Sequence, residues 1–395
     1  MFEIISLQNG IDNVRGFYSN ATDVGLKNTG NDLAFIKSDL LCDISAVFTT
    51  NRFAAAPIKH FKKYPKDFQT NFILINSKNA NAMTSKEGIE DIEDILEYAK
   101  QKDNSITHPL MSSTGVIGYR LPKEKIKKGL DKFDFSTKDS NATANAILTT
   151  DTFKKELCFK VILEDKKEFF IAAICKGAGM INPAMATMLC FIVTDANIPK
   201  NDMNELLKNA VDNSFNKISV DGDTSTNDTV MLLSNKKSGA YDKDAFKTAL
   251  EMLAKELALL ILKDGEGSNK VVAFEVKNAA SLNDAKKAST SLSNSLLVKT
   301  ALFGEDPNWG RIGSTIGASG IECDEDKLTI SYDDLIVYKN GKNIMDKEIE
   351  KKAIKILKQE SFKITCDLGI GNFSDIAYGC DLSYEYVKIN ADYRT

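Results

Sequence analysis

Apolar residues recur every three or four positions in several stretches of the chain, the spacing of one face of an α-helix. The longest such stretch runs from about 243 to 263 and carries Phe246, Leu250, Leu253, Leu257 and Ile261. Gly265 stands just beyond it, where a glycine often ends a helix. We predict a helix here, and similar helices at 201–216 and 346–358.

Another helix is predicted from its start signal. Thr84-Ser-Lys-Glu87 has the spacing of a capping box, in which the threonine and glutamate side chains each bind a backbone N–H near the helix start. An apolar stripe of Ile89, Ile92, Ile95 and Leu96 follows. The pattern predicts an amphipathic helix capped by the Thr84 side chain.

Short runs rich in β-branched and aromatic residues predict strands between the helices. Residues 158–163 and 168–175 flank a polar Glu-Asp-Lys-Lys turn and predict a hairpin, and 328–332 with 335–338 predict a second. The stretch 220–235 begins as a polar loop and ends as a strand. Helices and strands alternate without repeats, so the fold class is α/β or α+β.

Size and composition favour a globular protein of more than one domain, with 395 residues of which 43% are hydrophobic. The net charge of -4 argues against nucleic-acid or membrane-surface partners. The amino terminus lacks the features of a signal peptide, and the longest apolar runs, such as 169–175, are too short to cross a bilayer. We expect a cytoplasmic protein.

The seven cysteines form no CxxC pair, and their odd number argues against a disulfide framework. The two histidines, His60 and His108, stand in no spacing that metal sites use, so we expect no metal.

Two glycine motifs invite a ligand interpretation and fail it. Gly177-Ala-Gly179 opens like a dinucleotide fingerprint, but Asn182 stands where the third glycine belongs and Pro183 follows where a helix should be under way. Asp221-Gly-Asp223 opens like a calcium loop, but the required later glycine and glutamate are absent. We interpret the second motif as a turn or the wall of a site.

Thr187 lies in the small-residue segment "KGAGMINPAMATMLC" and admits two interpretations. It is either a buried threonine whose hydroxyl binds a backbone carbonyl, or a nucleophile. A threonine hydroxyl needs a base, and a free α-amino group on the same residue, with a pKa of about 7.7–8.0, supplies one. Exposing that amine requires cleavage of the bond between Ala186 and Thr187.

Motifs along nearly the whole chain carry a family resemblance. They are "VFTTNRFAAAP" (47–57), "MSSTGVIG" (111–118), "TTDT" (149–152), "KGAGM" (176–180), "PAMATML" (183–189), "DGDTSTNDT" (221–229), "DGEGSNK" (264–270), "ALFGEDPNWGRI" (301–312) and "GCDLSYEYVKINADYRT" (379–395). In these motifs and their order, the chain resembles the glutamate N-acetyltransferase (ornithine acetyltransferase) family of arginine biosynthesis.

Two stretches depart from the family's pattern. Lys78 stands where the family tends to have glycine and Met83 where it tends to have cysteine, and "GFYSNATDVGLK" (16–27) is a loose match. We expect neither departure to touch a residue that carries the chemistry.

The resemblance implies a mechanism. Thr187 is both the cleavage point, after Ala186, and the carrier that takes acetyl from N2-acetylornithine and passes it to L-glutamate. Thr114 and Gly115 form the oxyanion hole. The implied substrate contacts are Thr150, Lys176, Thr187, Glu266, Asn390 and Thr395. No cofactor is implied, and whether acetyl-CoA also serves as donor is left open.

The residues alone favour plainer alternatives for three of these positions. Ser112–Gly118 would be an ordinary glycine-bounded turn, Lys176 a surface lysine at a strand end, and Glu266 a solvated turn residue.

The resemblance also implies an architecture. It is the layered α/β sandwich of self-processing N-terminal-nucleophile enzymes with a smaller carboxy-terminal α/β region. Cleavage would give an amino-terminal chain, 1–186, and a carboxy-terminal chain, 187–395, two copies of each forming a heterotetramer.

Two rival functions stay open at this point. A self-cleaved amidohydrolase or aminopeptidase would let water deacylate Thr187. A nucleotide-binding or purely structural protein would use glycine pairs such as Gly177 and Gly179 as turns, would keep Thr187 in its core and would keep its backbone intact.

Overall fold

A computed structural model of the chain describes residues 1–182 and 188–392. The chain divides into two compact units. The first consists of Met1–Gly177, Ala184–Asn216 and Thr224–Ala258, and the second of Ala178–Pro183, Lys217–Asp223 and Leu259–Thr395.

The described residues form sixteen β-strands. In chain order they are β1 (Glu3–Leu7), β2 (Phe17–Thr22), β3 (Leu33–Phe48), β4 (Gln69–Asn76), β5 (Leu110–Ser113), β6 (Lys155–Ile162), β7 (Glu168–Lys176), β8 (Leu189–Thr194), β9 (Ile218–Ser219), β10 (Thr229–Ser234), β11 (Val271–Ala279), β12 (Thr329–Tyr332), β13 (Leu335–Lys339), β14 (Lys342–Asn343), β15 (Ser361–Asp367) and β16 (Phe373–Cys380).

Eleven α-helices connect them within the same described ranges. They are α1 (Ala56–Phe61), α2 (Ser85–Lys102), α3 (Lys123–Leu130), α4 (Ser140–Ala146), α5 (Lys200–Asp212), α6 (Lys243–Lys263), α7 (Leu282–Asn294), α8 (Leu296–Phe303), α9 (Trp309–Ala318), α10 (Lys347–Leu357) and α11 (Tyr384–Ala391). No helix in the part of the chain that the structure describes is long and apolar enough to span a membrane.

The first unit is built on a nine-stranded sheet in the order β1-β6-β7-β8-β10-β3-β4-β5, with β2 also paired to β3. Successive residues of a strand point to opposite faces of the sheet. In this sheet, both faces are covered by apolar clusters. Leu33 and Phe35 of β3 join the apolar cluster that contains Ile92 and Ile95 of α2. Ala34 and Ile36 join the cluster on the other side. The first unit is therefore a layered α/β structure.

The second unit has a seven-stranded sheet in the order β14-β13-β12-β15-β11-β16-β9. Val272, Phe274 and Val276 are every second residue of β11 and belong to one apolar cluster. The same cluster contains Ala288 and Leu292 of α7. The predicted fold class, α/β with a smaller carboxy-terminal α/β region, is confirmed.

Most elements predicted from the hydrophobic pattern are confirmed. Strands β6 and β7 pair antiparallel as the first hairpin, and β12 and β13 as the second. Helices α5, α6 and α10 lie where the apolar spacing predicts them, and α6 ends two residues before Gly265.

The predicted capping box at Thr84 is wrong, although the helix it announces, α2, is present. The Thr84 side chain accepts no hydrogen bond from the first turn. Its hydroxyl instead donates to Asn81 Oδ1 at 2.8 Å. The backbone of Thr84 is also not extended, with ψ near 7°, so its side chain is not aimed at the first-turn N–H groups as an N-cap requires.

Candidate active site

The segment that contains the predicted nucleophile leads into a central strand of the first unit. Strand β8 lies between β7 and β10. It runs parallel to β10 with Leu189 opposite Thr229, and the pairing extends one residue further because Thr229 N donates to Met188 O at 3.0 Å. Residues 183–187, which include Ala186 and Thr187, lie outside the described residues.

The predicted oxyanion residues follow the end of strand β5. Strands β4 and β5 are parallel, with Asn76 opposite Ser113, and the chain beyond each strand continues alongside the other. Thr114 N donates to Asn76 O at 3.1 Å, and Val116 N donates to Lys78 O at 3.0 Å. The loop that carries Thr114 and Gly115 is thus held by backbone hydrogen bonds on both sides of Gly115.

Gly115 occupies a position that no other residue fits without displacement. Its φ is 132°, a conformation that favours glycine. A Cβ built there would lie 2.1 Å from the carbonyl carbon of Lys78. The departure from the family pattern at Lys78 therefore lies beside a residue expected to carry the chemistry, and our expectation that it does not affect the chemistry stays a prediction. The contact is through the Lys78 backbone, which is independent of its side chain.

Two buried asparagines brace this loop, and neither was predicted from the sequence. Ser113 Oγ donates to Asn76 Oδ1 at 2.6 Å. Asn227 Nδ2 donates to the carbonyl oxygens of Ala80 and Ser113, at 2.6 and 2.8 Å. Asn227 lies in a motif of the family resemblance (221–229), and Asn76 lies just before the Lys78 departure. Neither was predicted, because a side-chain amide that binds a distant loop leaves no recognisable spacing in a sequence.

Lys176 is buried at the end of β7, which excludes the surface-lysine alternative: only 2% of the residue is exposed. Its ammonium group lies 2.8 Å from Thr149 Oγ1 and 3.5 Å from Asp151 Oδ2. Thr150, the predicted contact, stands between these two partners in the chain. Lys176 and the Thr150 segment are therefore brought together.

Asp151 and Lys155 complete this charged group, and neither was predicted. Asp151 Oδ1 accepts from Lys155 Nζ at 2.8 Å and from Gly177 N at 2.7 Å. Burial raises the pKa of Asp151, but the ammonium groups of Lys176 and Lys155 outweigh burial and hold that pKa well below its usual range. Two buried ammonium groups therefore lie beside this one carboxylate.

Glu266 lies in the second unit and is only 8% exposed, which excludes the solvated-turn alternative. Asn390 Nδ2 of α11 donates to Glu266 Oε2 at 2.8 Å. Glu266 N donates to Ala178 O at 2.9 Å, and a Cβ built on Gly179 would lie 2.5 Å from the Glu266 carboxylate. Two predicted substrate contacts thus meet each other, and Glu266 also lies beside Ala178 and Gly179 of the same unit. The sixth, Thr395, lies outside the described residues.

The Asp221-Gly-Asp223 motif forms a turn, as expected. Asp221 accepts backbone N–H groups of Met180 at 2.6 Å, Ile181 at 2.9 Å and Asp223 at 3.2 Å. Its carboxylate therefore fixes the chain just ahead of the predicted cleavage point.

Comparison with known proteins decides the family. The sequence model of the ArgJ family matches residues 18–395. The chain belongs to the ArgJ family. Membership in the ArgJ family confirms the resemblance found in the sequence motifs and the expectation of an acetyltransferase enzyme of arginine biosynthesis.

Individual relatives match over nearly all of their own lengths. The arginine biosynthesis bifunctional protein ArgJ of Wolinella succinogenes is 58% identical over 396 residues, 100% of both chains. The glutamate N-acetyltransferase of Methanocaldococcus jannaschii is 41% identical over 405 residues, 98% of this chain and 99% of its own. A crystal structure of ArgJ from Bacillus halodurans is 37% identical and covers 51% of this chain and 97% of its own, with a TM-score of 0.48.

Proposed function

We propose that this chain cleaves itself between Ala186 and Thr187 and then transfers acetyl from N2-acetylornithine to L-glutamate through an acetyl-Thr187 intermediate. The observation that carries the proposal is the 2.8 Å contact between Asn390 and Glu266. These residues are far apart in sequence and were nominated together by the resemblance alone. Their part-buried contact with each other supports a shared substrate pocket.

Self-cleavage needs no group beyond the segment itself and water. The Thr187 hydroxyl oxygen bonds to the Ala186 carbonyl carbon, the C–N bond between the two residues breaks, and the hydroxyl proton ends on the departing nitrogen. Water then hydrolyses the ester, leaving a carboxyl group on Ala186 and a free hydroxyl and α-amine on Thr187. The new amine is the base that the hydroxyl lacked.

The transfer consists of two acyl exchanges at the same oxygen. Thr187 takes the acetyl group as the amide bond of N2-acetylornithine breaks, and ornithine leaves with the proton that the hydroxyl gave up. The α-amine of glutamate then attacks the acetyl ester and releases Thr187. Both exchanges pass through a tetrahedral oxyanion, and we assign its stabilisation to Thr114 and Gly115. One such hydrogen-bond donor typically lowers the barrier by about 3–4 kcal/mol.

Substrate charge explains the roles we assign to Lys176 and Glu266. Acetylornithine and glutamate share an α-carboxylate, and we assign it to the buried ammonium group of Lys176. Their side chains end in opposite charges. Glu266 is assigned to the ornithine ammonium group.

The wild-type chain tests the proposal directly. Purified protein should run on a denaturing gel as two bands, one of which begins with Thr187 by mass spectrometry. Given labelled N2-acetylornithine and glutamate, it should form labelled N-acetylglutamate. Release of free acetate instead would favour a self-cleaved amidohydrolase, and a single intact band would refute the proposal.

Replacing Glu266 with glutamine should separate the two half-reactions. The amide keeps an oxygen for Asn390 but loses the charge that we assign to the ornithine ammonium group. Ornithine release from acetylornithine should fall about 10- to 100-fold in kcat/KM, as expected when a charge-assisted contact is lost. Acetyl transfer from the preformed acetyl-enzyme to glutamate should change less.

The control for this experiment is Glu385→Gln, on the same helix as Asn390. Glu385 is exposed and pairs with Lys388, so both half-reactions should stay at the wild-type rate. Equal losses in the two half-reactions of the Glu266 variant would contradict the assignment.

Three further properties are proposed from the resemblance. No cofactor takes part, because Thr187 itself carries the acetyl group. Acetyl-CoA would acylate the same hydroxyl, and N-acetylglutamate formation with acetyl-CoA as sole donor would demonstrate it. The cleaved chains assemble as a cytoplasmic heterotetramer with two copies of each.

A further inference from the structure

Lys27 is a half-buried lysine that the mechanism above does not use. Its ammonium group donates to the carbonyl oxygens of Ala146 and Asn31, at 2.8 and 3.1 Å. The backbone N–H of Lys27 donates to Asp32 Oδ2 at 3.0 Å, so the loop between β2 and β3 holds the lysine in place. An ammonium group has three N–H donors, and two carbonyl contacts leave the third able to bind a ligand.

The ammonium groups of Lys27 and Lys176 reach the same segment of chain. Lys27 contacts the carbonyl oxygen of Ala146, the last residue of α4. Lys176 contacts Thr149 Oγ1 at 2.8 Å, three positions further along. Thr150, one of the implied substrate contacts, follows directly. Two ammonium groups therefore lie along this segment, one from the loop between β2 and β3 and one from the end of β7.

The neighbouring charges place Lys27 close to the charged group that contains Lys176. Burial lowers the pKa of Lys27 from its ordinary value to about 8. The carboxylates of Asp32 and Asp151 oppose this shift in pKa, and the ammonium group of Lys176 adds to it. Two ammonium groups that repel each other are both stabilised when an anion binds beside them.

We propose that Lys27 is a second contact for the substrate α-carboxylate, beside Lys176. This inference rests on the proposed function, which assigns the α-carboxylate shared by acetylornithine and glutamate to Lys176. Both substrates would gain from the second ammonium group, because both carry the carboxylate. Lys27 ends the stretch 16–27, a loose match to the family pattern for which we expected no part in the chemistry. The inference gives that stretch a part in substrate binding.

The charge of Lys27 leads to a measurable pH dependence. A lysine with a pKa of about 8 is charged below that pH and loses its charge above it. Carboxylate binding should therefore weaken above about pH 8, and kcat/KM for N2-acetylornithine should fall there, since kcat/KM reports the free enzyme. This substrate suits the measurement, because its α-nitrogen is an amide and its side-chain amine titrates at about pH 10. The Thr187 α-amine, the proposed base, changes kcat/KM in the opposite direction, because it must be neutral to act.

The test compares Lys27→Met and Lys27→Arg with the wild-type chain, each as self-cleaved protein assayed for ornithine release across this pH range. Methionine keeps a long apolar side chain without the charge. KM for acetylornithine at neutral pH should rise about 10- to 100-fold with kcat little changed, as expected when a charge-assisted hydrogen bond is lost. Arginine stays charged throughout, so Lys27→Arg should keep a KM near the wild-type value and lose the fall above about pH 8.

Lys125→Met is the matched control. The Lys125 ammonium group is exposed and donates to Gly25 O at 2.9 Å, a carbonyl oxygen of the loop that carries Lys27. The variant removes a lysine contact from the same loop, and KM should stay at the wild-type value at every pH. Melting temperatures show whether each variant is folded. If Lys27→Met does not fold, the pH profile of Lys27→Arg decides alone.

The outcomes separate this inference from the proposed function. A wild-type chain that stays intact or transfers no acetyl refutes the proposed function whatever the variants do. A wild-type chain that does both overturns the inference alone if Lys27→Met keeps the wild-type KM, or if Lys27→Arg shares the wild-type pH profile. A loss in Lys27→Met confined to kcat would also overturn it, because Lys27 would then only brace the Thr150 segment.

Discussion

Replacing Thr187 with alanine is expected to leave the protein as a single 43.5-kDa polypeptide that transfers no acetyl group. Both losses have one cause, since the same hydroxyl attacks the Ala186 carbonyl in cleavage and the acetyl carbonyl in transfer. Removal of an enzyme's nucleophile lowers kcat by about 10³-fold or more. A denaturing gel measures the first loss, and N-acetylglutamate formation measures the second.

Two threonine variants make this result specific. Thr187→Ser keeps a hydroxyl and should still cleave, giving a chain that begins with serine. Thr194→Ala, further along β8, removes a buried hydroxyl that donates to Phe170 O at 2.6 Å. It should lower the free energy of unfolding by the cost of that bond, about 1–3 kcal/mol, and leave cleavage complete. An intact Thr187→Ala chain with wild-type activity would refute the mechanism.

Local elements were predictable because their signals are local. The apolar spacing of 243–263 and the two hairpin patterns each depend on neighbours within one element, and all three are confirmed. The capping box failed because its outcome depends on a residue outside the motif: Asn81 accepts the Thr84 hydroxyl. The capping-box spacing therefore predicted where the helix begins but not which hydrogen bond the Thr84 hydroxyl makes.

The site divides in the same way. Thr114, Gly115, Thr150, Lys176, Glu266 and Asn390 were nominated by resemblance, and their roles stay predictions. Three of them have close neighbours with a clear physical function: Lys176 has Asp151, Glu266 has Asn390, and Gly115 has the Lys78 backbone. Residues that hold others in place, such as Asp151 and Asn227, were missed because their partners are distant in sequence or are backbone atoms, which carry no residue identity.

The backbone contact at Gly115 leads to the second large expected effect. Gly115→Ala forces a methyl group to within 2.1 Å of the Lys78 carbonyl carbon, so the loop that carries Thr114 must move. Oxyanion donors act only when they point at the oxygen, and losing one costs about 10²- to 10³-fold in kcat. We expect a fall of that size in acetyl transfer, with a much smaller change in KM.

Gly118→Ala isolates the cause, because it shares the backbone strain but lacks the contact. Gly118 has a φ of 97°, so alanine is strained there too, yet nothing lies within 4 Å of a Cβ built on it. Both variants should lose stability through the backbone, by about 1 kcal/mol or somewhat more, while only Gly115→Ala should lose most of its kcat. If both lose kcat equally, backbone strain along the whole loop matters and the Lys78 contact does not. If neither variant loses kcat, the oxyanion is stabilised by other groups, because a donor displaced by a methyl group no longer points at the oxyanion.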